Sequence, residues 1–284
     1  MAIAAALLAT PALGQQKVEK RLPLGMEGAF RIMNMVGSVT VHGWNKDTVL
    51  VRAVVPQLDK LRMGGSYTGA KMFIENADER DPKPTRLEVW LPARARLWIK
   101  TATANIDVTG VDGQLDLYVV SGTIDVNGNP RELNAEAIDG DIHVIGSPPW
   151  LRAKSASGAI TLRGSSSDAA LSTVSGPIRV DGGTFERTKV ETVTGNIVFA
   201  GMLDRSGTFE FDTHSGSVDV VMPDKVNADI SVVTISGNIT NKISRSQPVS
   251  GRFGRGTELN FETGQGGAKV SVRTFKGPVT LRRP

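Results

Sequence analysis

Residues 121–128 read SGTIDVNG, and the phrase returns as DGDIHVIG at 139–146, SGAITLRG at 157–164 and SGPIRVDG at 175–182. The leading glycines Gly122, Gly140, Gly158 and Gly176 stand 18 residues apart. A fixed short period marks a chain of stacked units, each burying its apolar edge against the next. Two and four residues after each glycine the chain is apolar: Ile124 and Val126, Ile142 and Val144, Ile160 and Leu162, Ile178 and Val180. The residues between them, such as Asp125, His143, Thr161 and Arg179, are polar. Strict alternation over a short run predicts a half-buried strand.

A second alternating set lies seven, five and three residues before each glycine, beginning with Leu115, Leu117 and Val119. Its last position holds Ser155, Thr173, Thr192, Thr213 and Thr234 in successive units, which predicts a ladder of small hydroxyl side chains. Two strands and two turns in 18 residues make one flattened coil. Gly122, Gly140, Gly158, Gly176, Gly195, Gly216 and Gly237 are read as turn residues, chosen because glycine tolerates positive φ. Spacings of 19 and 21 at the later glycines predict protruding loops at Met202–Thr208 and Pro223–Ala228. Ile243–Thr257 reads as a larger insertion before a last coil that opens on Leu259, Phe261 and Thr263 and closes on Val279 and Leu281.

The predicted fold is therefore all-β: a single-stranded parallel β-solenoid, β-helix-like, with about 18–21 residues per coil. About nine coils at ~4.8 Å each would extend about 40 Å. The N-terminal part keeps the template less regularly, with Phe30, Ile32 and Asn34 before Gly37 and Val39 and Val41 after it. Residues 15–100 are read as irregular coils acting as a cap, with Leu58–Thr85 a polar, flexible segment, and residues 101–284 as the regular repeats of the same continuous domain. A cap is needed because an open first coil presents unpaired backbone groups to other chains.

Residues 1–14, MAIAAALLATPALG, have the shape of a secretory signal peptide, with small residues before Gln15, although no Lys or Arg precedes Lys17. The expected location is therefore exported: periplasmic, secreted or at the cell surface. No later window approaches the ~20 apolar residues of a membrane-spanning helix. The chain has no cysteine, which excludes disulfides, thiolate catalysis and Cys-based zinc sites.

Net charge is +4, but residues 241–284 hold nine lysines and arginines against Glu258 and Glu262. Arg245, Arg252, Arg255, Arg273 and Lys276 are the candidate binding residues of this basic end, which suits an anionic glycan, lipid or protein surface. Asp107 and Asp125 share one outward position in consecutive coils, so their carboxylates are expected about 5 Å apart. That is the separation of a retaining glycosidase pair, and they are the candidate catalytic residues of an enzyme reading. The rest of their column, His143, Thr161 and Arg179, reads as a mixed solvated face. His42, His143 and His214 occupy different columns and predict no metal site, and no cofactor motif occurs. The tryptophans Trp44, Trp90, Trp98 and Trp150 are expected to pack over turns or cap the core. Nucleic acid is not an expected partner, because no basic stripe is interleaved with aromatics.

GSVTVHGW at Gly37, the join LPARARLWIKTATANIDVTGVDGQLDLYVVSGTIDV from Leu91 to Val126, and SVRTFKGPVTLRR near the end resemble the bacterial putative-adhesin family of β-strand-repeat domains of unknown function. The resemblance spans about Val18 to Arg283. It implies a β-helix-like domain, exported or facing the envelope, and offers no catalytic residues. The expected function is a non-enzymatic adhesin-like or structural binding module at the bacterial envelope. The alternatives are a periplasmic scaffold or sensor accessory that docks a protein through the basic end, and a polysaccharide-active β-helix enzyme.

Overall fold

The computed structural model describes residues 14–251 and 255–284; residues 1–13 of the signal-like segment and Arg252 of the basic end lie outside them. Every regular element among the described residues is a β-strand. The N-terminal strands are β1 (Gln15–Pro23), β2 (Ala29–Trp44), β3 (Thr48–Pro56), β4 (Lys60–Ser66), β5 (Gly69–Glu75), β6 (Thr85–Pro92) and β7 (Arg96–Thr109). β2 lies parallel to β7 with Gly37 beside Ala104, as the repeat template requires. On its other side β2 pairs with β5 and β6, which place Ala70 beside Phe30 and Leu87 beside Val39.

Three antiparallel pairings then close this end: β3 on β6, β1 on β3 and β4 on β5. The expectation of a flexible 58–85 segment is corrected here. The β4–β5 hairpin buries Leu61, Ala70, Met72 and Ile74. Buried Asp59 ties it down, its carboxylate accepting from the Asn76 side-chain amide at 3.1 Å and the Ala77 backbone N–H at 2.8 Å. Exposed Lys60, Arg62 and Lys71 alternate with the inward Leu61, Ala70 and Met72, the period-two pattern of half-buried strands.

The regular part follows with β8 (Gln114–Ser121), β9 (Ile124–Asn127), β10 (Glu132–Asp139), β11 (Ile142–Ile145), β12 (Trp150–Ser155), β13 (Ile160–Arg163) and β14 (Ser166–Thr173). They form two parallel ladders. In the first, Leu115, Leu133, Leu151 and Ala169 are successive neighbours; in the second, Ile106, Ile124, Ile142 and Ile160. These inward residues are buried and belong to one apolar cluster that runs from Leu24 to Leu281.

The reason for the turn glycines differs from the expected one. Gly122 has φ 127°, but Gly140, Gly158, Gly176, Gly195, Gly216 and Gly237 lie outside the positive-φ region. What excludes a side chain at Gly158 is the turn stacked beneath it, because a Cβ would overlap the carbonyl oxygen of Gly140. The opposite turn, at Gly146 (φ 145°) and Gly164 (φ 138°), uses glycine's conformational freedom. The hydroxyl ladder is present. Thr173 donates to Thr192 at 3.0 Å, and the N–H groups of Gly158, Gly195, Gly216 and Gly237 donate to Ser155, Thr192, Thr213 and Thr234 at 2.9–3.0 Å. The turn's backbone donors are thereby satisfied without water.

The last strands are β15 (Ile178–Thr192), β16 (Ile197–Thr213), β17 (Val218–Val221), β18 (Ala228–Thr234), β19 (Ile239–Asn241), β20 (Val249–Ser250), β21 (Thr257–Thr263), β22 (Ala268–Thr274) and β23 (Val279–Arg282). β15 and β16 each serve both ladders. Met202–Thr208 is consequently part of β16, not a loop between strands. The extra residues sit in a bulge, since Phe185 pairs with Leu203 but Arg187 pairs with Thr208. Phe185, Phe199, Phe209 and Phe211 fill the core at this point, with ring centroids 5.1–6.0 Å apart. Pro223–Ala228 contains the connection between β17 and β18.

The C-terminal order departs from the sequence order. β22 inserts between β16 and β18, and β23 between β17 and β19. Leu259, Phe261 and Thr263 do not open a parallel coil; β21 runs antiparallel along β18, and β20 antiparallel along β21. An antiparallel strand covers the parallel edge that would otherwise stay open. The layers run β5/β6, β2, β7, β8/β9, β10/β11, β12/β13, β14/β15, β15/β16, β16/β17, β22/β23 and β18/β19, eleven where about nine were expected.

Candidate functional site

Period-two alternation sends one set of first-ladder side chains inward and leaves the other on an outward face. Along this face four hollows join end to end. The first, about 1020 Å³, is lined by β2, β5, β7 and β8 residues including Arg31, Lys71, Arg96 and Trp98. It shares Gln114 and Asp116 with the second, about 380 Å³, which contains Asn134, Trp150 and Arg152. Arg152 also lines the third, about 240 Å³, and Thr208 and Glu210 connect that to the fourth, about 640 Å³, bordered by Ser231, Asn260 and Lys269. The result is one surface trough from β5 to β21.

One side of the trough is an apolar ridge. The residue two before each turn glycine faces out, and this column holds Met35, Val120, Ile138, Val174, Val193, Phe275 and Ile235, each between 39 and 53 % exposed. His214 occupies the same position and stacks on Phe275 with centroids 4.9 Å apart. Exposed apolar side chains aligned over so many layers are the usual mark of a contact surface.

Charge is distributed unevenly along the floor. From the middle onward Arg152, Arg187, Lys189 and Arg273 are paired. Asp168 takes Arg152 at 2.8 Å and Arg187 at 2.9 Å, Lys189 meets Glu191 at 2.8 Å, and Arg273 binds Asp212 through two nitrogens at 2.7 and 3.0 Å. Hydrogen bonds donated to Glu191 and Asp212 hold the Lys189 and Arg273 pKa values above their ordinary ones. Arg152 also lies 4.5 Å over the Trp150 ring. At the β5 end Arg31, Lys71 and Arg96 have no side-chain partner among the described residues.

Asp107 and Asp125 are brought together as register neighbours, followed by His143, Thr161 and Arg179. They stand on the second ladder, away from the trough. Thr109 donates to Asp107 at 3.3 Å. The basic end is partly compensated by acids outside residues 241–284. Besides Arg273, Arg282 binds Asp219 at 3.0 Å and Arg283 meets Asp224 at 3.3 Å. Arg245, Arg255 and Lys276 are exposed there.

No cluster of three or more potential metal-ligating His, Asp or Glu side chains occurs among the described residues. The tryptophans divide: Trp44 packs over its turn and donates to Thr48 O at 2.8 Å, Trp90 lies beside His42 and Arg52, and Trp98 and Trp150 face the trough. Sequence reasoning missed the trough and its ridge. The available signal was the apolar residue two before each glycine, on the opposite face from the core set.

Residues 148–282 match the model of the family described as Toastrack DUF4097. Over these residues the chain is similar to a Toastrack domain. The match covers the layers from β12 to β23, just under half of the chain, and falls within the Val18–Arg283 span of the strand-repeat resemblance. No curated protein matches. The solved structure of a putative cell adhesion protein from Clostridium sporogenes is similar at 10 % identity over 95 % of this chain and 100 % of that one, with a TM-score of 0.29. That of a putative adhesin from Bacteroides fragilis is similar at 10 % identity over 95 % and 98 %, with a TM-score of 0.41. Among the described residues no helix is long and apolar enough to cross a membrane.

Proposed function

We propose that this chain is an exported, non-enzymatic β-solenoid that binds an extended ligand of the bacterial envelope along the first-ladder trough. The observation that carries this reading is the continuity of the trough, in which each hollow shares lining residues with the next. A rigid stack presents such a surface without ordering cost, and its alternating charges and exposed rings offer contacts at each ~4.8 Å step. The apolar ridge adds area that would leave water on binding. Export rests on the composition of residues 1–14.

The reading is tested by retention of the purified protein on envelope material. Trp150→Ala, which removes a trough ring, and Ser231→Trp, which fills the floor, are expected to lower retention at unchanged stability. Equal retention of both variants would remove the trough from the account. Protease digestion of intact cells settles the compartment: cleavage from outside places the domain on the surface, and protection until the outer layer is opened places it beneath.

Docking through the basic end is the second reading, carried by the exposed Arg245, Arg255 and Lys276. It predicts binding that weakens steeply with salt and with neutralisation of those three residues.

A further inference from the structure

The β5 end of the trough differs in chemistry from the rest. Lys71 and Arg31 are direct neighbours across a parallel ladder, and Arg31 is in turn the neighbour of Trp98. Like charges placed directly opposite repel each other. Elsewhere on this face Asp168, Glu191 and Asp212 compensate Arg152, Arg187, Lys189 and Arg273, whereas the three cations gathered here, Arg31, Lys71 and Arg96, have no anionic partner among the described residues. The hollow they surround, about 1020 Å³, is at the upper limit of the size range of small-molecule sites. Its one acidic side chain is Asp116, which accepts from Asn134 at 3.4 Å.

The floor between these cations is apolar. Met33 and Phe73 are register neighbours, 52 % and 38 % exposed, with Trp98 alongside. Methionine and aromatic side chains left open to water form an adaptable apolar surface, and methionine is common where a site accepts varied apolar shapes. A polar glycan would leave Met33 and Phe73 without suitable partners. A plain hydrocarbon would leave the cations unanswered.

We propose that this hollow binds an anionic amphiphile: an apolar chain lying over Met33, Phe73 and Trp98, with a carboxylate or phosphate held by Arg31, Lys71 and Arg96. The apolar body gains by leaving water, and the anion relieves the repulsion between Lys71 and Arg31. The inference rests on the reading of the trough as a binding surface and gives the ligand class of one end of it.

The test uses the full-length chain and decyl phosphate below its micellar concentration, followed by Trp fluorescence and calorimetry. Saturable binding at one site per chain is expected, with the fluorescence change lost in Trp98→Phe. Arg31→Gln and Arg96→Gln should each weaken binding about tenfold, and Arg96→Lys should weaken it less. Decyltrimethylammonium and inorganic phosphate alone should not bind measurably. Binding of decyltrimethylammonium as tightly as decyl phosphate would overturn the role of the cations. Binding of an oligogalacturonate at the same residues, with no response to decyl phosphate, would assign the hollow to a glycan instead. Asn260→Ala at the far end separates the two proposals: it should leave decyl phosphate binding unchanged while reducing envelope retention. Loss of retention without any amphiphile binding would contradict this inference and leave the trough reading standing.

Discussion

Gly237 and Gly277 lie 40 residues apart in the chain, yet they are stacked neighbours in one turn column. A Cβ on Gly237 would overlap the carbonyl oxygen of Gly277, and a Cβ on Gly277 would overlap that of Gly216. The column therefore runs Gly216, Gly277, Gly237, with the last coil of the sequence placed second from the end of the stack. Close backbone stacking along this column leaves no room for a side chain at these turns.

Gly158→Ala is expected to destabilise the fold by about 1–3 kcal/mol, the cost of forcing a methyl group into a packed site. The obstacle is the backbone of Gly140, which cannot rotate away. Gly182→Ala is the control. Its φ of 72° is unfavourable, but no atom lies within 4 Å of the added methyl group, so about 1–2 kcal/mol is expected from backbone strain alone. Urea midpoints for single variants measure both. In the double variant with Gly140→Ala, Gly158→Ala should show a non-additive cost because the two sites touch.

Phe199→Ala should cost about 3–5 kcal/mol, because it empties the centre of a four-ring cluster that fills the core at the β15–β16 bulge. Ile160→Asp should prevent folding of the middle layers, since it buries an unpaired charge at a position 1 % exposed. Circular dichroism and denaturant unfolding distinguish the graded loss from the complete one.

Asp59→Ala removes the acceptor of the Ala77 N–H and the Asn76 amide. A loss of about 1–3 kcal/mol is expected from the unsatisfied donors. It should appear first as local opening of the β4–β5 hairpin, measured as faster proteolytic cleavage between Ala77 and Lys83 with the later layers intact.

Lowering the pH should loosen the N-terminal edge. Hydrogen bonds from Arg52 and Arg21 hold the Glu19 carboxyl below its ordinary value of 4.5, and Arg62 does the same for Glu75. A depressed folded pKa means stabilisation that is fully present above 4.5 and is lost as the pH falls through the lowered folded values. Both groups are exposed, so the effect is small. A Glu19→Gln/Glu75→Gln variant should melt slightly below the unmodified chain at pH 7, and the two curves should converge in acid.

Local pattern revealed the middle of the molecule and obscured its ends. Ile124, Ile142 and Ile160 recur at a constant spacing and pair in register, so period and partner coincide. At the ends they separate. The alternation in Leu259–Thr263 identifies a strand but is the same for parallel and antiparallel pairing, and only the need to cover β18 decides between them. Val270, Val272 and Thr274 fit the coil template around Gly277, but nothing in it says that they pass between β16 and β18. The trough escaped notice for a related reason. Arg31, Lys71 and Trp98 meet across strands drawn from three distant segments, whereas Asp107 and Asp125 were found because they lie one period apart.

The absence of cysteine permits the most direct test of the trough as the binding surface. Single cysteines at Asn134 and Ser231 report on its floor, Thr161→Cys on the opposite ladder, and Lys276→Cys on the basic end. Maleimide labelling is measured with and without envelope material. The account predicts slowed labelling at Asn134 and Ser231 and unchanged labelling at Thr161 and Lys276. Protection confined to Lys276 or Thr161, with the trough cysteines still fully reactive, would contradict it.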